Sequence, residues 1–233
     1  MHGEPETIRR KNFTRVVVYD VRDSSDQLKE LLDDPDRYLL DRGGSILKTD
    51  RASTVGLAEI DSRTLVIKRY NTRGIGHAIR RSLRRSRASI CWRNAHDLLN
   101  IGVETPRPVG FIEQRFGPVR RRSYLITEYV QGEVCLSFFQ SNKNDELLSK
   151  VTTGLVTVFQ TLAKCRMSHG DLKATNIIIQ EGCPILIDLD GMHSHRSTFA
   201  FQRAFERDKE RFLRNWSEMP AIEELFRARL TGP

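Results

Sequence analysis

Asp171 and Asn176 stand five residues apart in His169-Gly170-Asp171-Leu172-Lys173-Ala174-Thr175-Asn176, and Asp188 closes the apolar run Ile185-Leu186-Ile187. Oxygen donors in that order suit phosphoryl transfer. A nucleoside triphosphate is so anionic that divalent metal must neutralise the oxygens of the moving group. Hard oxygen ligands such as those of Asn176 and Asp188 suit magnesium. Asp171 must stay off the metal to orient the attacking hydroxyl and take its proton. Lys173, two residues after that base, can neutralise the transferring phosphate. Each piece alone is common in proteins; the order loop, hairpin, strand, Asp is not.

Those side chains need a frame. Residues 46–48, 55–60 and 64–70 read as successive strands from their β-branched content and alternation, with Asp61-Ser62-Arg63 as a hairpin turn. Lys68, in Leu65-Val66-Ile67-Lys68, can extend from the third strand to the α- and β-phosphates of a nucleotide. The hairpin before it, 48–56, should cover the nucleotide. Gly56 is its only glycine, which leaves Ser53, Thr54 and backbone amides as phosphate contacts. Residues 109–113 and 123–127 are further strands, joined by Gly117-Pro118. The segment Glu128-Tyr129-Val130-Gln131-Gly132 reads as a linker between lobes whose backbone would meet an adenine edge. A long helix is expected over 147–164, a short hairpin around Glu181-Gly182, and amphipathic helices over 199–216 and 222–230. Asp208, on the first of these last two, can anchor the catalytic-loop backbone or form a surface ion pair. At the other end, residues 1–11 read as a frayed tail and 13–19 as an edge strand. A short helix capped by Ser24 or Ser25 should follow, with Leu28, Leu31 and Leu32 on one face.

The length of 233 residues allows one large or two small domains, and no apolar run approaches a membrane span. The polar N-terminus does not read as a secretory signal. Cys91, Cys135, Cys165 and Cys183 form no CxxC pair, which points to reduced thiols rather than a zinc site or a disulfide framework. The formal net charge of +8 is concentrated: residues 62–96 hold ten Lys and Arg and no acid, while the remainder carries 28 basic and 30 acidic residues. Such a segment, read as a basic helix over 79–100, attracts polyanions. Nucleic acid is the least favoured of these, because the stretch has few aromatics for base stacking. His193 and His195 lack the neighbouring ligands that a metal site needs.

The chain resembles the bacterial lipopolysaccharide core kinases, which phosphorylate heptose or keto-deoxyoctulosonate (Kdo) and have a protein-kinase-like fold. The resemblance runs over about residues 40–215. It is carried by Val66-Ile67-Lys68-Arg69-Tyr70-Asn71, Ser86-Arg87-Ala88, Trp92-Arg93-Asn94-Ala95, Thr105-Pro106-Arg107-Pro108, Tyr124-Leu125-Ile126-Thr127-Glu128-Tyr129, His169-Gly170-Asp171 and Ile187-Asp188-Leu189-Asp190. It implies a two-lobed α+β fold in which ATP lies between the lobes. Residues 1–130 would form a small antiparallel sheet lobe with an N-terminal extension and the basic helix. Residues 131–233 would form a short helical lobe with the catalytic loop. By position, Lys68 would bind phosphates, Asp171 would be the base, and Asn176 and Asp188 would be magnesium ligands, with Asp190 the second choice. Glu128 and Tyr129 would line the adenine pocket. The acceptor would be a sugar hydroxyl of the lipopolysaccharide inner core, met by a cytoplasmic enzyme at the inner face of the inner membrane. Arg80, Arg81, Arg84, Arg85 and Arg87 would touch anionic glycolipid or membrane. Two features depart from protein kinases. No acid follows Lys68 until Asp97, which leaves Glu59 as a candidate partner, and Gly170 replaces the Arg of His-Arg-Asp. No Ala-Pro-Glu appears in the 42 residues after Gly191, which favours a small or glycan acceptor over a peptide. A small atypical protein kinase, or a non-catalytic pseudokinase binding an anionic partner, are the alternatives.

Overall fold

The structure, a computed structural model, describes residues 6–41, 45–71, 85–117, 119–142 and 144–230. The chain divides into two compact units, Met1–His96 with Pro106–Tyr129, and Asp97–Thr105 with Val130–Pro233.

The first unit is built from β1 (Thr7–Lys11), β2 (Arg15–Asp20), α1 (Asp26–Asp33), β3 (Ile46–Thr49), β4 (Ser53–Ile60), β5 (Arg63–Tyr70), α2 (Arg87–Asn100, which runs on into the second unit), β6 (Pro108–Phe116) and β7 (Val119–Glu128). Among the described residues its strands form one antiparallel sheet of seven, in the order β1-β2-β6-β7-β5-β4-β3. Asp61 and Ser62 both take positive φ, 51° and 59°, between β4 and β5. That is the two-residue turn whose twist matches a hairpin. Ser25 caps α1 by accepting the Leu28 N–H at 3.1 Å. The cap sets Leu28, Leu31 and Leu32, all fully buried, against Ile60, Leu65, Ile67, Tyr124 and Ile126. Each such leucine contributes about 1.5–3 kcal/mol by leaving water. On the opposite face Trp92 of α2 packs beside Phe111, and the Tyr70 hydroxyl meets the Cys91 thiol at 3.1 Å.

One expectation changes here. Residues 7–11 are not frayed: Thr7 pairs with Asp20 and Lys11 with Val16. The segment Thr-Ile-Arg-Arg-Lys lacks apolar alternation because it is a charged edge strand, of the kind that discourages further pairing. Helix α2 is described from Arg87, and the expected start at 79, with Arg80, Arg81 and Arg84, lies outside the described residues.

The second unit holds β8 (Glu133–Val134), α3 (Cys135–Ser141), α4 (Asp145–Lys164), β9 (Met167–Ser168), β10 (Ile177–Gln180), β11 (Cys183–Leu186), β12 (His193–Ser194), α5 (Thr198–Leu213) and α6 (Pro220–Leu230). Asn144 caps α4, and Asp145 and Glu146 in its first turn with Lys164 in its last complement the helix dipole. Phe139, Phe212, Trp216 and Phe226 form an aromatic core with ring centroids 4.9–5.6 Å apart. Trp216 is therefore part of the core. Segment Asp97–Thr105 is tied to this unit: Thr105 Oγ1 donates to the Leu186 carbonyl at 2.7 Å, and Leu186 N–H to Glu104 at 2.9 Å.

Candidate active site

In the second unit, α5 fixes the loop 169–176 from behind. Asp208, 1% exposed, accepts the backbone N–H groups of His169 at 2.7 Å, Gly170 at 3.0 Å and Leu172 at 3.4 Å. Of the two roles left open for Asp208, anchor or surface ion pair, the structure gives it that of the anchor. A buried carboxylate needs such donors, and buried N–H groups need an acceptor. His169 is fully buried, with Nε2 3.1 Å from the Ile187 carbonyl. Burial pushes its pKa down, against the opposing pull of Asp208. The ring is thus neutral and donates Nε2–H, joining the loop to the strand end that carries Asp188. Gly170 has φ +81°, and a Cβ there would overlap the Gly191 carbonyl. Only glycine suits both demands.

Held this way, Asp171 is half-exposed and surrounded by donors. Asn176 Nδ2 donates to the Asp171 carbonyl at 2.9 Å and to Oδ2 at 3.1 Å. Lys173 Nζ lies 3.0 Å from Oδ2, and Arg211 Nε lies 3.5 Å from Oδ1. Arg211 also donates to the Gly170 carbonyl at 2.5 Å. Sequence reasoning missed Arg211. Its signal was available: it lies three residues after Asp208, on the same helical face.

Asn176 and Asp188 leave the β10–β11 hairpin side by side, because Ile187 N–H donates to the Asn176 carbonyl at 3.0 Å. Asp188 sits in the left-handed region, φ 64° and ψ 55°, at the residue that leads into the turn Leu189–Gly191. Asp tolerates that conformation better than most residues. The Asn176 amide nitrogen is spent on Asp171, so Oδ1 is the atom left for a metal. Among the described residues no group of three or more His, Cys, Asp or Glu could hold a metal ion. Two hard oxygen donors still fit magnesium, which completes its shell with water and substrate phosphates. His195 has a different task, with Nε2 2.7 Å from Ser168 Oγ.

In the first unit, Lys68 stands opposite Val55 on β4 and Leu125 on β7, with Nζ 5.3 Å from the centre of the Tyr70 ring. Ser53 pairs with Tyr70 and so shares the face of Lys68. Thr54 does not. It is buried on the other face, where its hydroxyl accepts from Arg69 at 3.2 Å, and Arg69 is itself paired with Asp36 at 2.9 Å. Glu128 also turns to that other face. Its carboxylate is 2.7 Å from Arg107 and 3.5 Å from Arg63. The N–H groups of Glu128 and Tyr129 donate to Arg107 and Thr64, while the Tyr129 side chain is exposed. Glu59 lies four residues along β4 from the position opposite Lys68, roughly 13 Å away, and accepts the Thr64 hydroxyl at 2.7 Å. It is too far to serve as the partner of Lys68.

The solved structure described as WaaP in complex with acyl carrier protein aligns with 89% of this chain and 98% of its own, at 17% identity and a TM-score of 0.56. That likeness shows a kinase-like fold. No curated protein matches the sequence. The profile of the lipopolysaccharide kinase (Kdo/WaaP) family matches residues 42–228, which include Lys68, the loop around Asp171 and Asp188, and the chain belongs to that family.

Proposed function

We propose that the protein transfers the γ-phosphoryl group of ATP to a sugar hydroxyl, heptose or Kdo, of the lipopolysaccharide inner core. The observation that carries this reading is Asp171: a half-exposed carboxylate aimed by Asn176, Lys173 and Arg211, on a loop fixed by a buried Asp208. Asp171 orients the acceptor hydroxyl and takes its proton as the oxygen–phosphorus bond forms. Lys173, paired with Asp171 here, is close enough to turn toward the transferring phosphate. Asn176 Oδ1 and Asp188 would hold magnesium, which supplies charge neutralisation at the phosphate oxygens. Lys68 binds the α- and β-phosphates, with Ser53 on its face. Thr54 and the Glu128 carboxylate, already engaged on the other face, take no part through their side chains.

The test is ATP turnover with magnesium, offering dephosphorylated lipopolysaccharide core or a generic protein as acceptor. Glycolipid-dependent turnover that falls about 10²–10⁴-fold in Asp171→Asn, with ATP affinity retained, supports the reading. Transfer to protein alone would replace it with a protein kinase. Absence of ATP binding would replace it with a pseudokinase.

A further inference from the structure

A lipid-linked acceptor requires a surface that meets a bilayer, and one end of the first unit's sheet has the necessary chemistry. The β1–β2 and β6–β7 hairpins end side by side. Arg115 N–H donates to the Thr14 carbonyl at 2.8 Å, and Gly117 N–H to Phe13 at 3.2 Å. At the two tips Phe13 and Phe116 are 64% and 66% exposed and touch edge to face at 5.3 Å. Two phenylalanines have no polar handle that would reward exposure to water, and here the two rings form one contiguous apolar point.

The charge around the pair is predominantly basic. Lys11 lies two residues before Phe13, and Arg121 lies two residues after Val119, the cross-strand neighbour of Phe116. Both are exposed, and among the described residues neither has a carboxylate within ion-pairing distance. The acids at this sheet end are already engaged: Glu113, 5% exposed, by Arg115 at 2.9 Å and Arg120 at 3.8 Å, and the exposed Asp33 by Arg15 at 3.5 Å and Arg10 at 3.7 Å.

We propose that the paired tips, with Phe13 and Phe116 as the apolar point and Lys11 and Arg121 as the cationic collar, seat the protein on an anionic lipid bilayer. The rings enter the headgroup boundary while the cations stay at the phosphates, the division of labour of interfacial membrane segments. A bilayer fits better than a nucleic acid. The rings meet edge to face and spend their contact on each other, whereas base stacking needs open, parallel faces. The proposal rests on the glycolipid-kinase reading, which it deepens by naming the surface that reaches the membrane.

The experiment is flotation of the full chain with phosphatidylglycerol–phosphatidylethanolamine vesicles, compared with phosphatidylcholine vesicles, without ATP or acceptor. Failure here is therefore separate from failure of the catalytic reading. The expected result is binding to the anionic vesicles, weakened about tenfold or more in Phe13→Ser/Phe116→Ser and in Lys11→Glu/Arg121→Glu, at unchanged melting temperature. In Phe116→Trp, brominated lipids should quench added fluorescence above the background of Trp92 and Trp216. The proposal is overturned if wild type ignores anionic vesicles or if both double variants bind as wild type does. Bound Phe116→Trp that shows no extra quenching also overturns it. So does tighter binding to polyuridylate than to vesicles, which would assign the collar to nucleic acid.

Discussion

Asp171 is surrounded by three donors, and they are not equivalent. Asn176 belongs to the loop itself, and so does the half-exposed Lys173. Arg211 comes from α5 and bonds the Gly170 carbonyl as well, so it ties the carboxylate to the loop's anchor. Arg211 is accordingly a positioning residue. Arg211→Ala should lower kcat by about tenfold, the cost of roughly 1.4 kcal/mol of misplacement, and leave the KM for ATP unchanged. Arg211→Lys should recover only part, because an ammonium lacks the fork that serves two acceptors at once. A matched rise in KM would show instead that Arg211 binds nucleotide.

The elements make such placement possible, and the tightest point is where the loop crosses the turn after β11. Gly170 requires φ +81° and backbone contact with Gly191. Gly170→Ala should therefore cost at least about 1–2 kcal/mol from the left-handed conformation alone, with turnover lost before the fold. Thermal melting and ATP turnover on one sample check this, and a variant near wild type in both would remove the constraint. Much of this frame was legible in the sequence. The apolar periodicity of α4, the β-branched runs of β4 and β5, and the Asp171–Asn176 interval all sit where pattern reading places them. What escaped depended on faces and partners. Ser53 and Thr54 are neighbours in sequence, but a strand sends successive side chains to opposite faces, so only Ser53 could share the face of Lys68. Strand β1 escaped because its pairing comes from backbone groups, with three basic residues disguising it as a tail. Arg211 escaped because its role depends on a loop forty residues away.

At the scale of the molecule, the groups whose pKa values are displaced differ between the two units. In the first, Asp20 is held below the ordinary 3.8 by its hydrogen bonds from Arg22, which outweigh burial. For Asp23 burial acts to raise the pKa, but Arg107 and Arg63 outweigh it, and the carboxyl again ends below 3.8. For Glu113 burial again acts to raise the pKa, but a hydrogen bond from Ser86 and the charges of Arg120 and Arg115 outweigh it, and the carboxyl ends below its ordinary 4.5. A depressed carboxyl contributes stability that is complete above the unfolded pKa and is lost as pH falls through the folded one. The second unit instead carries His169 and His195, whose pKa values burial pushes below 6.5. There the unfolded chain binds protons first, so stability starts to fall as pH drops below about 6.5. Acid should thus weaken the second unit while the first still holds, down to the carboxylate range. Each unit has its own tryptophan, Trp92 in the first and Trp216 in the second. Trp92→Phe leaves the reporter in an intact second unit, and Trp216→Phe leaves it in an intact first unit. Titrated from pH 8 to pH 2, the Trp216 signal should change at higher pH than the Trp92 signal. Coincident transitions below pH 4 would mean that His169 does not set the acid limit of the second unit.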